Sequence, residues 1–82
     1  MKPISYSKEA LKTLRRMPAN TSGRIREKIE AYAADPASQA NNVKALQGAE
    51  NTIRLRVGDW RVIMEETAVI AVIRVAARGG AY

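Results

Sequence analysis

Three features of this 82-residue chain predict an α+β fold, with an N-terminal helical hairpin packed on a small twisted antiparallel β-sheet. Apolar residues recur at helical spacing in the first part of the chain. From about residue 43 the period changes to that of extended chain. Pro18 and Pro36 stand where the first and second helical stretches should stop.

Each element has its own signal. "PISY" (3–6) reads as a short first strand. Ser7 then occupies a helix N-cap position before "KEALKTLRRM", whose Ala10, Leu11, Leu14 and Met17 share one face. Lys8, Lys12, Arg15 and Arg16 lie mostly on the other face. Pro18 ends this helix and is suited to the first position of the next. "SGRIREKIEAYAAD" carries the second helix, burying Ile25, Ile29, Tyr32 and Ala33. "PASQANN" is a polar loop, and "VKAL" a short extended piece. Ile53–Val57, Trp60–Glu65 and Val69–Ala76 read as strands. The Gly58–Asp59 pair joins the first two as a tight hairpin, and a turn near Glu66–Ala68 joins the last two.

Composition bounds what such a chain can be. At 46% apolar and 27% charged it reads as globular. A chain this short buries only roughly 60% of its unfolded surface, so one domain over 1–82 is expected. No apolar run is long enough to span a bilayer, and "MKPISYSKEALK" turns polar too soon for a signal peptide. Cysteine is absent, which fits a reducing, cytoplasmic setting and excludes disulfides. Histidine is absent too, which removes His-based acid–base and nucleophile systems and most zinc sites. No cofactor, metal or membrane is expected. Five lysines and nine arginines against eight acids leave a net charge of +6, which calls for an anionic partner. The bias toward arginine favours phosphate, whose oxygens the planar guanidinium grips in pairs.

A two-residue loop at 58–59 fixes the hairpin register. Val57 then faces Trp60, Arg56 faces Arg61, and Arg54 faces Ile63. Ile53, Leu55, Val57, Trp60, Val62 and Met64 form the helix-facing side. Thr52, Arg54, Arg56, Arg61, Ile63 and Glu65 form the other. Two arginines directly opposite each other repel by about 0.2–1 kcal/mol, so the pairing makes better sense with an anion between them. In "VIAVIRVAAR" the alternation puts Ile70, Val72, Arg74, Ala76 and Arg78 on the basic face and Val69, Ala71, Ile73 and Val75 in the core. The expected nucleic-acid surface holds Lys44, Arg56 and Arg74 beside Arg54, Arg61 and Arg78. Glu65 and Glu66 are candidates to neutralise Arg54 or Arg74 across the strands. Tyr82, terminal and beside a glycine pair, is placed to stack on a base.

"YSKEALKTLRRMP", "IREKIEAYAADP", "VKALQG", "IRLRVGDWRVIM" and "RGGAY", in this order over nearly the whole chain, resemble the RelE/ParE superfamily of bacterial type II toxin–antitoxin toxins. At the Trp60 position the family commonly has tyrosine. The resemblance implies one of two activities on a shared fold. RelE-type toxins cut messenger RNA in the ribosomal A site, and ParE-type toxins poison DNA gyrase without being enzymes. The RelE pattern implies Arg54, Arg61, Arg78 and Tyr82 as catalytic residues. Thr52 and Ala77 depart from it, where relatives carry a lysine and often a histidine. The implied reaction is metal-independent endoribonuclease cleavage by a ribose 2′-hydroxyl on the adjacent phosphate. Its general base is open between Tyr82, Lys44 and positioning by the ribosome, since arginine stays protonated and free tyrosine and lysine titrate near about pH 10. The implied partners are a cognate acidic antitoxin, facing part of the helical surface over 10–33, and the ribosome with its mRNA. A blander alternative is a basic RNA-binding module.

Overall fold

The computed structural model describes residues 1–46, 48 and 50–77. Two helices, α1 (Lys8–Arg16) and α2 (Ala19–Ala34), pack on one side of a five-stranded sheet. The strands are β1 (Ile4–Tyr6), β2 (Val43–Ala45), β3 (Thr52–Val57), β4 (Trp60–Glu66) and β5 (Ile70–Ala77), in the spatial order β1-β5-β4-β3-β2. Every neighbouring pair is antiparallel except β1 with β5, which runs parallel. Among the described residues no helix is long and apolar enough to cross a membrane.

The helical pattern predicts the core well. Ala10, Leu14, Ile25, Ile29, Tyr32 and Ala33 are buried against Leu55, Val57, Val62 and Met64 of the hairpin. Leu11 is only half-buried, and Met17, Ile53 and Trp60 sit at the margin of the core. Pro18 is the N-cap of α2 rather than its first residue. The hairpin register is the expected one throughout, from Ile53 opposite Met64 to Val57 opposite Trp60. Gly58 at φ +60° explains why so short a loop closes, because glycine enters this region without a Cβ clash.

The last strand corrects the expected alternation. Ile63 pairs with Arg74 but Met64 pairs with Val72, so Ile73 is an extra, bulged residue. A bulge changes the side-chain parity of its strand. Upstream of it Ile70 and Val72, expected on the basic face, are buried in the core. Val69 and Ile73, expected in the core, are 37% and 40% exposed. Downstream, Val75 is buried, and Arg74 and Ala76 oppose Ile63 and Arg61 as the basic-face pattern requires.

Ser7 supports both the bulge and the first helix. Its Oγ accepts from the Ala10 amide at 3.0 Å and donates to the bulge carbonyl of Ile73 at 2.6 Å. Ser7→Ala removes both bonds and should cost about 1 kcal/mol or somewhat more, read as a lower urea midpoint at unchanged slope.

Glu66 takes no part in neutralising the sheet arginines. It accepts from the Tyr32 hydroxyl and from Lys2 Nζ, the latter at 2.9 Å. Lys2 also donates to the Thr67 carbonyl, and the Ile70 amide donates to the Pro3 carbonyl, so the N-terminus is fastened to the β4–β5 turn. The Tyr32 hydrogen bond, then the one from Lys2, holds the Glu66 carboxyl below the usual range. Burial, then the bond to Glu66, pushes Tyr32 up to about 12. A depressed folded-state carboxyl stabilises the fold above its unfolded pKa, and this is lost as pH falls through the lowered value. A raised tyrosine stabilises below its unfolded pKa, and this is lost as pH rises through about 12. Thermal melts between pH 3 and 7 should therefore show a smaller loss on acidification for Glu66→Gln than for the unaltered chain.

Candidate nucleic-acid interface

Strand alternation and two registers build the candidate site. On β3, Leu55 points into the core, so Arg54 and Arg56 on either side of it point out. The hairpin sets Arg61 directly opposite Arg56. The β2–β3 pairing sets Lys44 opposite Arg54. The main chain locks this corner further, because the Arg56 amide donates to the Asn42 carbonyl at 2.8 Å.

These side chains border an open groove of about 260 Å³, lined by Asn41, Asn42, Val43, Lys44, Arg54, Arg56 and Arg61. Four of the seven are cations, and none is acidic. Such a concentration of charge on one wall raises the local potential for anions. Arg61 is half-buried in this groove. Its Nη1 is buried and has no hydrogen-bond partner among the described residues. Buried polar groups are otherwise satisfied almost without exception, so this nitrogen carries an uncompensated desolvation cost. The part of the half-buried Arg61 side chain that lines the groove can share a phosphate oxygen with a neighbouring guanidinium.

The other expected site residues are placed differently. Arg74 is on the outer face by register, opposite Ile63, but it does not line the groove. Its Nε stands 3.7 Å from Glu9 of α1, an exposed pair of small energetic weight. Arg78 and Tyr82 lie outside the described residues. Asn41 and Asn42 belong to the groove although the sequence presents them only as part of a polar loop. Their adjacency to the Lys44 strand is the one signal that could have singled them out. Trp60 is half-buried on the helix side, as its parity predicts. There it borders a second cleft, of about 330 Å³, with Thr13, Arg16, Met17 and Pro18.

The fold has clear relatives. The family model of the ParE toxin of the type II toxin–antitoxin system parDE matches residues 4–82. The chain is 26% identical over 83 residues to a Methanocaldococcus jannaschii protein named as toxin RelE1, covering 96% of this chain and 92% of that protein. Among solved structures it matches the archaeal RelE–RelB complex of Pyrococcus horikoshii with a TM-score of 0.81 at 26% identity, covering 98% of each chain. The isolated RelE toxin of E. coli superposes with a TM-score of 0.79 at 17% identity, over 95% of this chain and 85% of that one, and so shares the fold. With nearly its whole length matched, this chain belongs to the family of ParE toxins of type II toxin–antitoxin systems, and its architecture is that of the RelE toxins.

Proposed function

We propose that this toxin acts in the RelE manner, halting translation by cutting messenger RNA on the ribosome. The observation that carries this reading is the groove lined by four cations, Arg61 among them, and by no carboxylate. In the reaction the ribose 2′-oxygen bonds to the adjacent phosphorus and the phosphorus–O5′ bond breaks. A cyclic phosphate and a free 5′-hydroxyl result. The 2′-proton passes to water, and O5′ takes a proton from water as it leaves.

Arg54 and Arg61 grip the non-bridging oxygens, whose charge grows in the transition state. Fixed donors there are worth more than mobile water because they need no reorganisation. Arg78 neutralises the leaving oxygen and Tyr82 stacks on a base. Lys44, Arg56 and Arg74 hold neighbouring phosphates. The guanidinium groups of the groove are donors only. The rate therefore rests on charge and on alignment of the 2′-hydroxyl within the decoding site, which makes cleavage ribosome-dependent.

The inhibitory partner is an acidic antitoxin, as the RelE–RelB complexes among the structural relatives suggest. The cleft beside Trp60 supports this, since it joins apolar Met17, Pro18 and Trp60 to the cation Arg16. An acidic amphipathic segment that orders on binding matches such a surface.

Translation in vitro with the purified protein, followed by primer extension on the message, tests the activity. Codon-phased cuts at the A site are expected. The matching family model is that of ParE toxins, which favours gyrase as the second reading. Intact message together with trapped gyrase–DNA cleavage complexes would replace the first reading with the second.

A further inference from the structure

The groove holds one feature that phosphate binding leaves unused. Cations grip a phosphate whatever base it carries, so they position a nucleic acid without reading it. Reading requires a donor and an acceptor aimed together at a base edge. Among the groove-lining residues only Asn41 and Asn42 offer a neutral pair of that kind.

Asn42 is the one built into place. Its backbone amide donates to the Gln39 carbonyl at 2.9 Å, and its side-chain Nδ2 donates to Gln39 Oε1 at 3.2 Å. Its carbonyl accepts from the Arg56 amide, which ties it to the strand that carries the clamp. Gln39 itself is 6% exposed, the buried polar side chain among the described residues. Burying an amide is costly unless its hydrogen bonds are made, so Gln39 is a support with a cost. One Asn42 N–H is committed to Gln39. Among the described residues the second N–H and Oδ1 have no other partner, which leaves the donor–acceptor pair that fits adenine at N6 and N7.

We propose that Asn42, positioned by Gln39, reads the base beside the phosphate held in the basic groove and favours adenine. This rests on the groove being a phosphate site. A ligand amide fixed beforehand loses little freedom on binding, so its discrimination is fully expressed. Guanine presents two acceptors on the same edge and leaves Oδ1 facing an oxygen. Uracil lacks the exocyclic amino group altogether.

Binding of 5′-labelled tetranucleotides of riboadenylate and ribouridylate, and of an abasic tetraphosphodiester, separates the outcomes. The unaltered protein should bind the adenylate about tenfold tighter than the uridylate, the scale of one good two-point contact. Asn42→Ala should bring that ratio to about one while affinity for the abasic strand stays the same. Arg61→Ala should weaken all three alike. An unchanged ratio in Asn42→Ala, or no preference in the unaltered protein, overturns base reading and leaves the phosphate groove standing. Failure of the unaltered protein to bind the abasic strand overturns the groove itself. Should Asn42→Ala not fold, Asn42→Ser takes its place, since a hydroxyl serves the turn but presents no fixed pair.

Discussion

Arg61→Ala should yield a folded protein, at least as stable as the parent, that no longer arrests growth when induced. The two halves of this expectation come from one observation. Arg61 Nη1 is buried without a partner among the described residues, and Arg61 pairs with Arg56 across the hairpin. Truncation removes an unsatisfied donor and relieves like-charge repulsion of about 0.2–1 kcal/mol. In the proposed reaction the same side chain meets the charge that develops on phosphate. Losing one such donor typically lowers the rate by about a hundredfold or more. Growth curves on induction, paired with thermal melts of the purified variant, check both halves together. Full toxicity, or a variant that unfolds, would remove Arg61 from the site.

Leu55→Ala should have the opposite signature, with toxicity lost because the fold is lost. Leu55 is fully buried on β3 and stands between Val43 of β2 and Val62 of β4. Removing a side chain of this size from a packed core costs about 2–5 kcal/mol, transfer and cavity together. Small domains hold only about 5–15 kcal/mol in total, and one this small belongs near the lower end. A fall in melting temperature of about 10 °C or more is expected, since each kcal/mol moves a domain of this size by several degrees. The groove should fail with the core, because Leu55 anchors the segment that aims Arg54 and Arg56. Urea unfolding followed by circular dichroism gives the measurement.

The hairpin was legible from the chain because one constraint, the loop at Gly58–Asp59, determines every pairing on both strands. Once that loop is placed, Arg56 must oppose Arg61, and the structure has them so. Helix burial was legible for a similar reason, with Ile25, Ile29 and Tyr32 a turn apart and all inside. Strand β5 was not. Its residues are apolar on both parities, so "VIAVIRVA" fits either face, and only the bulge at Ile73 decides between them. The partner of Glu66 was hidden too, because Lys2 is distant in sequence and reaches it only when β1 aligns beside β5. Asn42 belongs to a polar loop in the sequence, where nothing local shows that Gln39 turns inward beside it.

The shift at Ile73 splits one strand between two selective demands. Ile70 and Val72 before it answer to packing, and Arg74 after it lies on the charged surface. Substitutions in the two halves should therefore sort into separate classes of defect in a saturation screen. Changes at Ile70 and Val72 should reduce the amount of protein recovered. Changes at Arg74 should leave abundance unaltered and act on potency alone.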